Sequence, residues 1–383
     1  MRLFRALGAL ILLAVIAAAA IAVSMSFPPA KKRLDRYPRV EAAVESARDW
    51  LSAVPTQIGD AGIAAWTADD KRIVFAGSRF TLGGKRLWSL YHYDADTGQV
   101  ARFGDFTGPD PIAAIDCSSS GETIAVEFAG GAGSYVMLYK PETNTFVQLP
   151  SAPGVSSGSQ TIAESPLAFY PDGGKLVFIA RSRRGRNICI YDDTTGKTGV
   201  VPVGTDVADA TWSASGDRIL FLADRGKKIV TANPDGGDPS VLIDSGDNWY
   251  PRFSPFGKMV AFFQTVQHRT STALGVIAVD GESLSYYRGL PNDADGLSWS
   301  SDGRTIYFEA RNAPRPWEIF AYSLDSHSTT QLTVSGSNVN PQPSHLGDKV
   351  LYEASGMFPG LHALSTITTD GSSREKLSGF FLP

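Results

Sequence analysis

Short runs of alternating apolar and polar residues recur along the chain, each after a turn signal. The stretch "WSSDGRTIYFEAR" (299–311) places a Ser-Asp-Gly turn directly before Ile306, Tyr307 and Phe308. Period-two patterns of β-branched and aromatic residues bounded by Asp and Gly are typical of β-hairpins. Glycine adopts the positive φ that such tight turns require. The pattern therefore predicts a hairpin whose turn residue is Gly303.

This pattern occurs seven times. The other copies are "WTADDKRIVF" from Trp66, "CSSSGETIAV" from Cys117, "YPDGGKLVF" from Tyr170, "WSASGDRILF" from Trp212, "FSPFGKMVAF" from Phe253 and "PSHLGDKVLYE" from Pro343. The turn residues are Asp70, Gly121, Gly173, Gly216, Gly257, Gly303 and Gly347. They are 41 to 52 residues apart, which is the period of a four-stranded propeller blade.

Two further strand patterns follow each hairpin, as in "NICIYDDTTG" (187–196) and "TQLTVSG" (330–336). Four strands in each of seven repeats predict an all-β fold, a seven-bladed β-propeller of four-stranded antiparallel blades over residues 60–379. Each blade is complete in sequence order, so we expect closure by packing of blade seven against blade one. The alternative is an extra strand from residues 52–59.

The motif Ser-x-Asp-Gly-x-x-Ile-x-Phe after an aromatic residue resembles the WD-like repeat of the TolB-like β-propeller family. The similarity covers about 320 residues and implies the propeller fold. This family includes the periplasmic TolB protein and the propeller domains of exported peptidases. TolB itself combines an α/β domain with six blades, so the chain is not a clear orthologue of TolB. Propellers of one fold serve many functions, so the resemblance does not specify an activity.

The segment before the propeller predicts export and two helices. An uninterrupted apolar run from Ala6 to Val23 follows Arg2 and Arg5, as in a signal peptide or membrane anchor within residues 1–26. The choice between cleavage and anchoring stays open. Residues 27–59 form a linker in which 37–54 have helical periodicity, predicting a short amphipathic helix. We therefore expect a periplasmic protein, or one anchored in the inner membrane and facing the periplasm.

Composition and motifs argue against several classes of function. The formal net charge of the 383 residues is −4, which does not favour a nucleic-acid partner. No HExxH, phosphate-loop or dinucleotide motif is present. The GxSxG match at 154–158 lies in a Ser/Gly/Pro-rich loop without the flanking strand and helix that this motif needs. The two cysteines, Cys117 and Cys189, cannot form a disulfide framework.

The histidines do not converge in the predicted blades. They are His92, His268, His327, His345 and His362. Oligogalacturonate lyases have a similar fold and use a cluster of channel histidines, which this pattern does not predict. We therefore assign no catalytic residue and no cofactor, and the sequence favours a protein that is not an enzyme.

A set of polar residues recurs nine to eleven positions before each turn residue, where the chain begins the innermost strand. These residues are Asp60, Asp110, Glu164, Asp206, Asp247, Asp293 and Asn338. We expect them to surround one mouth of the central channel. One interpretation is structural, since an acid at a strand start accepts hydrogen bonds from its own loop. In the other, the ring attracts a basic peptide segment or holds a divalent cation.

Three aromatic residues are candidates for contact with a ligand near this mouth: Trp249, Tyr250 and Trp317. Tryptophan is enriched at binding hot spots. The sequence thus predicts an exported, non-catalytic scaffold that binds a peptide or protein partner of the cell envelope at an acidic channel mouth. The alternative is a carbohydrate-active enzyme, a glycosidase or polysaccharide lyase, that uses the carboxylates of this mouth.

Overall fold

The computed structural model describes residues 55–81, 85–104, 106–130, 133–152, 166–182, 185–204, 206–266, 271–291, 293–355 and 362–377. The two predicted helices, the signal or anchor and the amphipathic segment, lie outside these residues. The chain divides into two compact units. One comprises Met1–Thr56 with Arg79–Arg86, and its few described residues lie at strand ends. The other comprises Gln57–Ser78 with Leu87–Pro383 and carries the propeller.

Seven four-stranded sheets form the blades, and each sheet contains four strands that are consecutive in the chain. Blade one contains β1 (Pro55–Trp66), β2 (Arg72–Thr81), β3 (Arg86–Asp94) and β4 (Val100–Arg102); blade two contains β5 (Ile112–Cys117), β6 (Ile124–Gly130), β7 (Gly133–Lys140) and β8 (Thr145–Gln148). Blade three contains β9 (Ala168–Phe169), β10 (Lys175–Ser182), β11 (Gly185–Asp192) and β12 (Lys197–Val200); blade four contains β13 (Ala208–Trp212), β14 (Ile219–Ala223), β15 (Lys228–Ala232) and β16 (Ser240–Ile243). Blade five contains β17 (Asn248–Phe253), β18 (Met259–Val266), β19 (Ser271–Ala278) and β20 (Ser285–Tyr287); blade six contains β21 (Asp293–Trp299), β22 (Thr305–Arg311), β23 (Glu318–Ser323) and β24 (Ser328–Gln331). Blade seven contains β25 (Asn338–Pro343), β26 (Lys349–Ser355), β27 (His362–Thr368) and β28 (Arg374–Lys376). The predicted seven-bladed propeller is confirmed.

The predicted turns lie between the first and second strands of the blades. Gly303 has φ 67°, a left-handed conformation that favours glycine. Two side chains hold the same turn: Ser300 Oγ accepts a hydrogen bond from the Thr305 N–H at 2.9 Å, and Asp302 Oδ1 accepts one from the Arg304 N–H at 3.0 Å. The Ser-x-Asp-Gly motif is therefore the chemistry of a tight turn, as the repeat predicts.

Neighbouring blades are joined by the repeated tryptophan that ends the first strand. Trp299 Nε1 donates to the Arg252 carbonyl of blade five, and Trp212 Nε1 donates to the Ala168 carbonyl of blade three, both at 3.1 Å. Both indoles are largely buried between sheets. These tryptophans therefore pack blade against blade rather than facing a ligand.

Blades one and seven meet at the closure of the ring. Residues 55–59 belong to β1 itself, and no sheet of the described residues combines strands from the two ends of the propeller. Trp66 Nε1 donates to the Gln342 carbonyl at 3.1 Å, so blade one meets blade seven as other blades meet. This contact agrees with closure by packing of blade seven against blade one.

The predicted membrane segment is not part of the described structure. Within the described ranges, no helix has both the length and the hydropathy needed to cross a membrane. The apolar run from Ala6 to Val23 lies outside them. Export therefore stays a prediction from the sequence.

Candidate functional site

In five of the described inner strands one residue adopts a positive φ and kinks the strand, and this residue fixes the level of the predicted ring. In five blades the kink lies at Ile63, Asp209, Tyr250, Gly296 and Asn340. The residues three positions earlier are Asp60, Asp206, Asp247, Asp293 and Ser337. Four of the predicted acids therefore share one level, and a serine occupies it in blade seven.

Two predicted members lie elsewhere. Asn338 follows Ser337 and is level with Asn248, because each pairs with the second strand at the equivalent position. At this level the backbone carbonyl of the inner strand accepts a hydrogen bond from the second strand, and in blade two that carbonyl belongs to Pro111. Asp110 therefore lies one position before this level. Glu164 lies outside the described residues. Counting nine to eleven residues back from the turn therefore misplaces a ring residue by one position where the length of the inner strand varies.

Asn338 and Asn248 are buried and hold their own loops. Asn338 Nδ2 donates to the Ser335 carbonyl at 2.9 Å and to Glu318 Oε2 at 2.7 Å. Asn248 Nδ2 donates to the Ser245 carbonyl at 3.2 Å. This is the structural role considered for the ring, performed here by amides that donate rather than by acids that accept.

Arginines already pair with two of the mouth acids. Asp206 Oδ2 lies 3.0 Å from Arg225 Nε, and Asp293 Oδ2 lies 2.9 Å from Arg311 Nε. The Arg311 guanidinium in turn lies 4.7 Å from the centre of the Trp317 ring. Paired charges generate less potential than the same acids alone. The mouth is therefore less acidic than the count of its carboxylates predicts.

The two aromatic neighbours of Asp247 point into the protein. Trp249 Nε1 donates to the Ala294 carbonyl of blade six at 3.1 Å, so it acts as a blade contact. Tyr250 occupies the kink, with its ring centre 5.3 Å from the Arg252 guanidinium. Burial raises the pKa of Tyr250, and the charges of Asp295 and Asp209 add to that rise. Of these two, Tyr250 is the one that lies among ionisable groups.

A second set of carboxylates, which the turn-based count does not reveal, joins one blade to the inner strand of the next. Each accepts a backbone N–H of the following blade. The acceptor–donor pairs are Asp116 with Phe169 (2.7 Å), Asp209 with Tyr250, Glu309 with Asn340, and Glu353 with Ile63 (2.8 Å). A kink leaves an N–H that cannot pair within its own sheet, and a buried N–H needs a partner. Three of the four donors, the N–H groups of Ile63, Tyr250 and Asn340, belong to kinked residues, and these acids accept their hydrogen bonds.

The sequence does contain a signal for this second set. Glu309 and Glu353 of this set lie six residues after the turn glycine of their blade, as does Glu127 in blade two. In an alternating strand this spacing places them on the face of the sheet that meets the kink. Gly296 and Gly62 leave room for two of them. A Cβ on Gly296 would lie 2.9 Å from Glu309 Oε2, and one on Gly62 would lie 2.8 Å from Glu353 Oε2.

Asp295 differs from these acids. It lies directly opposite Glu309 in the register of β21 and β22. Its Oδ1 is enclosed and has no hydrogen-bond partner among the described residues. Burial raises the pKa of Asp295 to about 6, and the nearby Asp209 charge adds to the effect. Burial likewise raises the pKa of Glu309 to about 7, with further contributions from Asp295 and Glu353.

One cation lies among these carboxylates. Arg252 Nη1 is 2.6 Å from Asp209 Oδ1, and both side chains are mostly buried. Arg252 also lowers the pKa of Asp295. We define the Asp295 cluster as Asp209, Tyr250, Arg252, Asp295 and Glu309. It holds three carboxyl groups and one guanidinium, so it is suited to accept a further proton or positive group.

The cluster does not have the arrangement of a metal centre. Among the described residues, no group of three or more His, Cys, Asp and Glu is placed to hold a metal ion. The sulfur ligands that some metals require are also unsuited, because burial raises the pKa of Cys189 to about 12 and that of Cys117 above its usual range. A thiol in such surroundings stays protonated.

Comparison with solved structures identifies the fold. The chain is similar to an oligogalacturonate lyase in complex with manganese (TM-score 0.64, 12% identity, 82% of this chain and 92% of that chain). It is similar to the β-propeller domain of the Trilobed protease from Pyrococcus furiosus, described as having an open velcro topology (TM-score 0.62, 13% identity, 84% and 96%). It is also similar to TolB from Acinetobacter baumannii (TM-score 0.50, 15% identity, 74% and 80%).

Sequence comparison adds no closer relative: no family model and no curated protein matches the chain. Identities of 12–15% support a shared fold and not a shared activity. The chain is therefore a distant TolB-like β-propeller by fold.

Proposed function

We propose that this chain is a non-catalytic scaffold that binds a basic segment of a protein or peptide partner through the Asp295 cluster. Asp295 Oδ1 carries the proposal, because it is enclosed near other acids and has no hydrogen-bond partner among the described residues. A buried acceptor without a donor costs about 1–3 kcal/mol. A lysine, arginine or terminal ammonium of a partner would supply the missing donor.

Charge balance supports a cationic ligand. Asp295 raises the pKa of Glu309, and Asp209 raises that of Asp295, as expected for repulsion between neighbouring carboxylates. Arg252 is 2.6 Å from Asp209, so its charge is already compensated by that partner. A bound cation would remove the repulsion between Asp295 and Glu309. The surface around the cluster is therefore more suited to a basic partner than the arginine-paired mouth.

The partner would belong to the cell envelope. The apolar run behind Arg2 and Arg5 supports export, and the fold is shared with a TolB protein. We therefore place the propeller in the periplasm, either free or anchored in the inner membrane.

A labelled hexalysine peptide tests the proposal, with a hexaserine peptide as the neutral control. Fluorescence anisotropy at pH 7.5 should show saturable binding of hexalysine alone. Asp295→Asn should weaken that binding at least tenfold. Asp325→Asn is the matched control, because Asp325 is an exposed acid paired with Arg304 in the same blade. Equal weakening in both variants, or none in Asp295→Asn, would contradict the proposal.

One observation favours a second function, an enzyme acting on carbohydrate. General acid catalysis at neutral pH needs a carboxyl group whose pKa is raised towards 7, and Glu309 has one at about 7 beside Asp295. Glycoside hydrolysis uses such an acid together with a second carboxyl group that acts as the ionised base or nucleophile. Release of reducing sugar from a polysaccharide panel, abolished by Glu309→Gln, would support this function. Absence of release by the wild-type protein would leave the scaffold as the better proposal.

A further inference from the structure

A cleft of about 500 Å³ separates the outer parts of blades six and seven. It lies among the turn-side residues, whereas the Asp295 cluster lies at the kinks of the inner strands. Blade six contributes β22 and β23 side chains to one wall, and the Gly347 turn with Thr369 and Asp370 of blade seven forms the other. The volume is within the range of small-molecule sites.

The Tyr307 side chain places a phenolic hydroxyl group in the lining of this cleft. The residue lines the cleft and is 3% exposed. Its ring packs in the apolar cluster shared by blades six and seven. Its hydroxyl makes no hydrogen bond to any residue that the structure describes, although buried tyrosine hydroxyls usually find a partner. Burial raises the pKa of Tyr307 to about 12, so the group stays a neutral donor.

The other polar groups of the lining are hydroxyls and carboxylates. The hydroxyls beside Tyr307 come from Ser301, Ser323, Thr330 and Thr369. The carboxylates are Asp302 and Asp370, and hydrogen bonds lower the pKa of both. In each, Oδ1 accepts the turn hydrogen bonds, while Oδ2 accepts none from the described residues. Ionised oxygens of this kind are strong acceptors for hydroxyl donors.

The lining excludes one class of ligand and favours another. It contains no Lys, Arg or His, so no side chain of the lining would balance the negative charge of a bound anion. Leu332 and Leu346 add an apolar patch, with Leu346 78% exposed. Sugars combine hydroxyl groups with apolar C–H faces. Their hydroxyls can donate to the carboxylates and bond to the hydroxyls of the lining, while a C–H face packs on the apolar patch.

We propose that the cleft between blades six and seven binds a neutral monosaccharide unit, with the Tyr307 hydroxyl as a direct hydrogen-bond partner. The site is independent of the Asp295 cluster and of the partner bound there. It implies no reaction, since it is a binding site for a sugar or a sugar-bearing partner.

Saturation-transfer NMR and calorimetry on the purified protein test the site. The neutral probes are glucose, galactose, mannose and N-acetylglucosamine. Glucuronate has the glucose ring with a carboxylate and tests the charge argument. We expect saturable binding of at least one neutral sugar and at least fivefold weaker binding of glucuronate than of glucose. No saturable binding of any neutral sugar would overturn the proposal, and so would tighter binding of glucuronate than of every neutral sugar.

Two variants locate the binding. Tyr307→Phe should fold with wild-type or greater stability, because the lost hydroxyl has no protein partner, and should weaken sugar binding at least fivefold. Tyr322→Phe is the matched control: it lies next to Ala321 on the opposite face of the same sheet, packed against blade five. Undiminished binding in Tyr307→Phe, or equal loss in both variants, would overturn the assignment of Tyr307.

Discussion

His345 and Asp70 join the last blade to the first. The His345 N–H donates to Asp70 Oδ1 at 3.0 Å, and His345 Nδ1 lies 2.8 Å from the same oxygen. The following N–H, of Leu346, donates to Asp70 Oδ2 at 2.6 Å. Asp70 is the one turn residue of the repeat that is not glycine, and it adopts φ 53°. The exception in the repeat is therefore the residue that closes the ring.

Asp70→Gly should destabilise the propeller although glycine suits the turn better. The change removes hydrogen bonds from two backbone N–H groups to a buried carboxylate, which contribute about 1.5–3 kcal/mol each. Relief of the positive φ returns about 1 kcal/mol. We expect a net loss of about 2 kcal/mol or more, measured by urea unfolding.

Gly121→Asp provides the reverse control. Gly121 has φ 72°, and nothing lies within 4 Å of a Cβ placed there. This variant reports the cost of aspartate at a turn that has no closing role. If Asp70→Gly were as stable as wild type, closure would depend on Trp66 and the sheet packing alone.

Glu309→Gln should make the protein more stable at high pH. Burial raises the folded-state pKa of Glu309 to about 7 from its ordinary value of 4.5. Between these values the folded state holds more protons than the unfolded state, so stability falls as pH rises through this window. The glutamine removes this penalty, and its Oε1 still accepts the Asn340 N–H. We expect a gain of about 1–3 kcal/mol above pH 7 and none below pH 4.5, from unfolding curves at pH 4 to 9.

Asp370→Asn should show the opposite sign. Hydrogen bonds from Thr368 and Ser372 lower the pKa of Asp370 to about 2. The carboxylate therefore contributes stability at neutral pH that is lost as pH falls through the folded-state value. The variant should be less stable than wild type at pH 7, with a difference that shrinks towards pH 2. A gain at pH 7 in both variants would indicate a general effect of removing negative charge.

The sequence was sufficient to predict the blades, but not to predict which side chains of the inner strands lie at the same level. Repeat period, turn glycines and alternation are local properties, and they predicted the seven four-stranded sheets. The kink is not local in this sense, because Asp209, Tyr250 and Asn340 adopt positive φ without being glycine. The charged groups that act on Asp295 include Asp209 and Arg252, which belong to other blades, and such contacts between blades cannot be counted from a turn.

Asn338→Ala and Asp247→Asn separate the structural and surface members of the predicted ring. Asn338 is fully buried and donates to Glu318, so truncation leaves a buried carboxylate with one donor fewer. We expect a loss of about 2–4 kcal/mol. Asp247 is exposed, and its amide variant should change stability by less than about 0.5 kcal/mol. Equal effects would place Asn338 among the exposed ring residues.

Gly296→Ala tests the contact between the kink of blade six and Glu309. The new Cβ would lie 2.9 Å from Glu309 Oε2, at a backbone φ of 62°. Gly196→Ala is matched in conformation, with φ 64° and nothing within 4 Å. Both variants bear the cost of alanine in the left-handed region, about 1–2 kcal/mol. Gly296→Ala should lose at least a further 1 kcal/mol and should also weaken hexalysine binding, because Glu309 must move.

Arg311→Gln distinguishes the channel mouth from the Asp295 cluster as the place where a basic partner binds. Arg311 lies between Asp293 and the Trp317 ring, so its removal frees a mouth carboxylate and exposes an aromatic face. If the mouth binds the partner, hexalysine binding should tighten several-fold and Trp317 fluorescence should report it. If the Asp295 cluster binds the partner, the affinity should stay within about twofold of wild type, because Asp295 is unchanged. Binding that tightens in Arg311→Gln and survives in Asp295→Asn would return the site to the mouth.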